Sequence, residues 1–140
     1  MKILFPADGS PFTKKALAFL ITHENFCGPQ DELIVLHVQT PMPPRVKGMV
    51  GSSAVNQYHR EEAQRVLDPI EKFLKRHGLN YKLHYVVGAA APEILKAVTQ
   101  QGVHMVVMGT HGHGLLGRAL MGSVAQRVVT ESTVPVLLVR

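Results

Sequence analysis

The sequence predicts an α/β protein, a parallel sheet with helices on both faces. Three observations carry that prediction. Five short apolar runs recur along the chain, most of them rich in β-branched residues. Segments with helical spacing separate them. Turn-forming residues close most of the runs, which is how strands end. Near-continuous apolarity suits strands covered on both faces, and hence a parallel sheet. Strict alternation of strand and helix gives the same architecture, with right-handed crossovers.

The elements follow in order. Ile3-Leu4-Phe5 reads as the first strand and stops at Pro6-Ala7-Asp8-Gly9. Ser10 then Pro11 is an N-cap followed by a first-turn proline. Phe12, Ala16, Leu17 and Leu20 repeat at helical spacing, with Gly28 as the stop. Leu33 to Val38 is the second strand, ending at Gln39-Thr40-Pro41. Residues 40–54 form the one irregular stretch, with Pro41, Pro43, Pro44, Gly48 and Gly51. It is either a flap over a site or a plain linker. Val55, Tyr58, Val66, Leu67, Ile70, Phe73 and Leu74 mark a long second helix closed by His77-Gly78. Tyr81 to Val87 alternates as a third strand. Pro92 opens a third helix, with Ile94, Leu95 and Val98 inward and Gly102 as its stop. Met105 to Met108 is the fourth strand, ending at Gly109. Ser123 caps a fourth helix that buries Val124, Val128 and Val129, and Val134 to Val139 is the last strand.

Composition narrows the function classes. The 140 residues suit a single domain spanning 1–140. Folding a chain of this size buries roughly two-thirds of its surface, enough for a core without staples. An apolar fraction of 46% against 18% charged excludes a disordered chain. Cys27 is the only cysteine, so no disulfide framework exists. No apolar run reaches the roughly 20 residues of a membrane span, and the N-terminus is too soon polar for a signal peptide. A cytoplasmic protein without a membrane partner is the expectation. The net charge of +5 attracts anions. The basic residues between Arg45 and Lys82 are spread out and mixed with acids, as on a solvated helix face. With no Trp and few aromatics among them, they point away from nucleic acid.

The informative stretch is 108–124. It holds five glycines, Gly109, Gly112, Gly114, Gly117 and Gly122, between the fourth strand and the fourth helix. Glycine lets a ligand touch backbone N–H groups. Converging N–H groups at a helix start make a phosphate cradle. Gly122-Ser123 adds a hydroxyl there, and Arg118 is a nearby charge. Two familiar patterns fail. A literal G-x-G-x-x-G runs from Gly112 to Gly117, but a dinucleotide fold wants it after the first strand, with an acid ending the next. The P-loop needs Lys-Ser or Lys-Thr after the last glycine, and here Arg118-Ala119 follows.

What does fit is Gly109-x2-Gly112-x9-Gly122-Ser123. This resembles the nucleotide-binding signature of the universal stress protein family, G-x2-G-x9-G-[S/T]. Pro6-Ala7-Asp8-Gly9-Ser10, Leu36-His37-Val38, Val106 to Gly109, Gly122 to Ala125 and Pro135 to Val139 are also similar to that family. The likeness covers the whole chain. It implies an open five-stranded parallel sheet of order 3-2-1-4-5, Rossmann-like and of the adenine nucleotide alpha hydrolase type. It implies a homodimer through the last strand, residues 134–140. That strand is apolar, and an open apolar edge seeks a partner. The resemblance also implies ATP binding. Asp8 would hold the ribose and adenine side, beside Pro6, Ala7 and Gly9 of the same turn. Val38 would meet adenine through its backbone, and Met108 and Gly109 would floor the nucleotide. Gly112, Gly122, Ser123 and Val124 would hold the phosphates, with His111 and His113 flanking them. The chain departs from the family at His104, where an acid is common, and at Ala89-Ala90-Ala91, where a more polar turn is usual.

Each of these has a plainer reading. Asp8 could be only a turn former, the glycine segment only a connector, and Ser123 only a cap. The placement of Asp8 at a strand end favours a ligand role. His111 and His113 fall short of a metal site, because zinc needs three or four ligands. Any Mg²⁺ would ride on the phosphates. His37 reads as a satisfied core residue and Cys27 as a structural thiol. Phosphoryl transfer needs a metal-binding carboxylate and a positioned nucleophile, and Asp8 is the only acid among the candidates. No catalytic residue is assigned. Three functions stand: an ATP-binding stress-response homodimer, a slow ATP hydrolase or phosphotransfer protein, and a nucleotide-free interaction module.

Overall fold

The computed structural model of the protein describes residues 1–112 and 121–140. The element order is β1 (Lys2–Pro6), α1 (Pro11–Thr22), β2 (Glu32–Gln39), α2 (Pro44–Arg76), β3 (Tyr81–Val87), α3 (Ala90–Gln100), β4 (Met105–Gly109), α4 (Ser123–Glu131) and β5 (Val136–Val139). The sheet is five-stranded, in the order β3-β2-β1-β4-β5, and every pairing is parallel. The order reverses at β1, which pairs Ile3 with Leu33 on one side and with Met105 on the other.

Alternation along the strands builds two cores. Ile3, Phe5, Leu33, Val35 and Val107 face α1 and α2, meeting Ala16, Leu17, Leu20, Leu67, Ile70 and Leu74. Leu4, Ile34, Leu36, Val106 and Met108 face α3 and α4, meeting Ile94, Val98, Ala125 and Val128. Each fully buried aliphatic side chain is worth about 1.5–3 kcal/mol. The two helix layers differ. α3 and α4 pack on each other, whereas α1 lies over β4 and β5 and α2 over β2 and β3. A groove is left between α1 and α2.

Several boundaries differ from the sequence expectation. The stretch after β2 is helical from Pro44, not irregular through residue 54. Proline in the first helical turn costs nothing, because its missing N–H would have no partner there. The break comes at Gly51, whose φ of 84° kinks α2. α1 ends at Thr22, before Gly28, where the His23 ring nitrogen bonds to the Phe19 carbonyl at 2.8 Å. α3 begins at Ala90, so Pro92 lies within its first turn rather than opening it. Gly122, not Ser123, is the N-cap of α4.

At the far end of the sheet, His104 accepts the Lys2 N–H at 2.9 Å through Nδ1. Cys27 is buried. Burial, and then the nearby Asp31 carboxylate, push its thiol above the usual range, so it stays protonated at neutral pH. Among the described residues no helix is long and apolar enough to cross a membrane.

Candidate functional site

A cavity of about 380 Å³ opens at the C-terminal tips of β1, β2 and β4, between the starts of α3 and α4. The sheet order divides it into three parts. The β2 side is apolar, made by Leu36 and Val38 with Ala90 and Ile94 of α3. The tip of β1 contributes Pro6, Ala7 and Asp8 in the middle. The β4 side is Met108, Gly109, His111 and Gly112, facing Gly122, Ser123 and Val124 at the start of α4. Ligands in open α/β sheets bind outside the strand ends where the order reverses, and β1 is that point.

The turn after β1 is held from both sides. Ala7 N–H donates to the Leu36 carbonyl at 2.9 Å. Buried His37 grips the Ala7 carbonyl through Nδ1 at 2.8 Å, and its Nε2 lies 3.0 Å from the Gln39 side-chain oxygen. His37 is thus the satisfied core residue that the sequence suggests. Asp8 Oδ1 accepts both the Ser10 N–H and the Thr13 hydroxyl at 2.9 Å. Ser10 is extended, with φ −69° and ψ 166°, and its side chain caps α1 by accepting the Thr13 N–H. A serine N-cap followed by proline makes this start of a helix well defined from sequence.

The segment after β4 depends on close approach. A Cβ on Gly109 would lie 2.7 Å from Phe12 Cβ and 3.0 Å from Phe12 backbone atoms, so only glycine lets β4 pass under α1. A Cβ on Gly112 would lie 2.5 Å from Asp8 Oδ2. The Asp8 carboxylate therefore lies directly against the glycine backbone. Thr110 N–H donates to Val139 O at 3.1 Å, and Gly122 N–H donates back to Thr110 O at 2.7 Å. That second bond closes the base of the glycine segment and brings the α4 start to the tip of β4. The His111 ring packs 4.8 Å from that of Phe12, and its Nδ1 lies 2.8 Å from the Thr110 hydroxyl. As Gly122 supplies no side-chain cap to α4, the first-turn amides and the helix dipole meet the cavity with no competing carboxylate from a cap.

The structure gathers most of the sequence-predicted residues. Pro6, Ala7, Asp8, Val38, Met108, Gly109, His111, Gly112, Gly122, Ser123 and Val124 all line the one cavity. Gly9 does not; it lines the groove between α1 and α2 instead. Its φ of 77° turns the chain away from the strand tips into α1. His113 and Arg118 lie outside the described residues. Sequence reasoning missed Thr13, Leu36, Ala90, Ile94 and Ala125. Two of these had a signal. Leu36 shares a strand face with Val38 at period two, and Thr13 stands three residues after the helix cap. Ala90, Ile94 and Ala125 depend on how α3 and α4 lean on the sheet. Among the described residues no three of His, Cys, Asp and Glu gather as a metal site would need.

The groove between α1 and α2 is larger, about 600 Å³. Leu17, Val66, Ile70 and Phe73 make its apolar lining. Its charged residues include Arg65 and Glu62, which pair with each other at 3.2 Å.

Comparison with known proteins places this geometry. The model of the universal stress protein family matches residues 1–140. Universal stress protein MJ0577 of Methanocaldococcus jannaschii is 30% identical over 154 residues, covering 99% of this chain and 94% of the relative. Universal stress protein YxiE of Bacillus subtilis is 30% identical over 149 residues, covering 99% and 98%. The solved structure of MJ0577 superposes with a TM-score of 0.83 at 33% identity, covering 99% of this chain and 94% of that one. More distant solved structures share the fold and hold nucleotides. One, from Arabidopsis thaliana, has AMP bound (TM-score 0.71, 16% identity, 99% and 90% covered). A universal stress protein is in complex with cAMP (TM-score 0.74, 18% identity, 100% and 97% covered). Another, from Archaeoglobus fulgidus, is in complex with dAMP (TM-score 0.71, 19% identity, 100% and 98% covered). A family match from the first residue to the last, joined to 30% identity across nearly all of two relatives, makes this chain a member of the universal stress protein family.

Proposed function

We propose that the protein binds an adenine nucleotide, ATP in the first instance, and acts as a nucleotide-dependent regulatory homodimer in a stress response. The observation that carries this is the cavity's division into three. An apolar slot, a carboxylate and a glycine-built helix start follow one another across β2, β1 and β4. A base, a sugar and phosphates follow one another in the same order. Relatives with AMP, cAMP and dAMP bound support an adenine ligand. The signature at Gly109, Gly112, Gly122 and Ser123 supports phosphates. The Cβ clash at Gly112 shows that a side chain there would invade the space between Asp8 and the loop. Among the described residues lining the cavity Asp8 is the only carboxylate, which favours binding over efficient turnover. Mg²⁺ would enter with the phosphates.

The test is a thermal shift with ATP, AMP and GTP, each with and without Mg²⁺. A ligand at a hundredfold excess over Kd stabilises by about 2.7 kcal/mol. A selective rise in Tm with ATP is expected. No rise with any nucleotide overturns the reading.

The dimer part of the proposal places β5 at the interface. Among the described residues β5 pairs only with β4 and leaves its outer edge open, and its four residues are half-buried in the single chain. An isologous contact along residues 134–140 would cover that edge. Light scattering at micromolar concentration should give twice the chain mass, and a monomer mass overturns it.

A further inference from the structure

We propose that the groove between α1 and α2 is a second ligand site, which takes a free aliphatic carboxylate such as a medium-chain fatty acid. This goes beyond the nucleotide reading and does not depend on it. The groove holds about 600 Å³, within the range of small-molecule sites. α1 and α2 each follow a strand of the parallel sheet and return over the same face, so they run in one direction. That common direction sorts the lining along the groove. Asp8, Lys14, Glu62 and Arg65 lie toward the strand-tip end. Leu17, Val66, Ile70 and Phe73 follow as an apolar bed. On α2 the stretch from Glu62 to Phe73 rises about 16 Å. Glu62, Val66, Ile70 and Phe73 repeat there at helical spacing, which puts them on one face.

The charges at the strand-tip end decide the head group. Glu62 and Arg65 pair with each other at 3.2 Å. The Asp8 carboxylate is engaged by its own turn through Oδ1, and its Oδ2 lies against Gly112 at the other cavity. Lys14 is exposed and, among the described residues, forms an ion pair with no carboxylate. An apolar bed with one cation at its end complements an anion with an apolar tail. The tail would take the half-buried Val66 and Phe73 out of water. The carboxylate would accept a charge-assisted hydrogen bond from the Lys14 ammonium. A bilayer cannot enter between two helices, so the ligand is a single free chain.

The experiment is calorimetric titration of the full chain with decanoate and with decylammonium, which share a tail and carry opposite heads. Decanoate should saturate at one per chain and bind about fivefold more tightly than decylammonium. Lys14→Gln removes an exposed charge without disturbing the core. It should bring the two ligands within about twofold of each other by weakening decanoate. Val66→Phe fills the apolar bed and should weaken both ligands at least tenfold. If that variant fails to fold, Lys14→Gln still carries the test. A full preference for decanoate retained in Lys14→Gln overturns the proposal. Unchanged decanoate affinity in Val66→Phe places the tail elsewhere and overturns it too. So do equal affinities of the wild type for the two ligands, and so does decanoate binding that does not saturate or does not occur. The thermal shift with ATP is independent of each of these outcomes, so the groove and the nucleotide reading fail separately.

Discussion

The hollow at the strand tips measures about 380 Å³ and the groove between α1 and α2 about 600 Å³, and Asp8 and Thr13 belong to both. The two differ in what lines them. The apolar lining of the larger one comes from side chains of two helices that lean apart, and Arg65 and Glu62 at its rim already pair with each other. The smaller one combines apolar side chains from β2 and α3 with glycine backbone from the β4 side. Three strand tips and two helix starts converge on it, and at Gly112 a side chain would collide with the Asp8 carboxylate. Volume alone does not make recognition; fixed polar groups aimed at one point do. The cavity lies at the end of the layer in which α3 and α4 pack on each other.

The comparison can be broken at three points. The largest effect is expected at Gly112. Alanine there puts a Cβ 2.5 Å from Asp8 Oδ2, so the carboxylate must move. Affinity for ATP should fall at least tenfold, or about 1.4 kcal/mol, while Tm without ligand changes little. Unchanged affinity by titration would mean that the backbone cradle is not the binding surface.

A smaller effect is expected in the groove. Val66→Phe adds bulk to a half-buried position that faces open space. It should alter stability by no more than about 0.5 kcal/mol and leave ATP affinity within twofold. A tenfold loss of affinity would show that the two hollows act as one site.

The smallest effect sharpens the comparison from the opposite end of the sheet. The Met1 ammonium bonds Asp31 Oδ1 at 2.8 Å, and the Gly28 N–H bonds Oδ2 at 2.8 Å. These bonds, the ammonium first, hold the Asp31 carboxyl below its usual range. A carboxyl lowered in the fold contributes stability above its unfolded pKa, near 3.9, and loses it as pH falls through the lower folded value. Asp31→Asn should therefore cost only about 0.2–0.4 kcal/mol at pH 7. The gap from wild type should close in melts taken below about pH 4, with nucleotide affinity untouched at neutral pH. A gap that persists in acid would assign the loss to packing rather than charge.

Much of this was legible in the residues. Strand runs such as Leu33 to Val38 have one stable arrangement, because β-branched apolar residues at that density must be covered on both faces. Ser10-Pro11 marks a helix start by local chemistry alone. The spacing of Gly109, Gly112, Gly122 and Ser123 pointed to the family whose model matches the whole chain. The limits of sequence reading were equally physical. Pro43-Pro44 read as irregular because proline marks both loops and first helical turns, and only the chain around it selects between them. Ser123 and Gly122 are both acceptable caps, and the hydrogen bond from Gly122 N–H to Thr110 O decided for the glycine.

The sequence by itself determined the alternation of strands and helices and the parallel sheet. These rest on propensities and patterns that act over a few residues. Only the tertiary structure decided which distant residues share a wall. Asp8 meets Gly112 across more than a hundred residues of chain, and Ala90 and Ile94 join Leu36 only because α3 settles over β2. It also decided that Gly9, one residue from Asp8, belongs to the other hollow. Such contacts follow from the sheet order and the lean of the helices, which depend on the whole core packing at once.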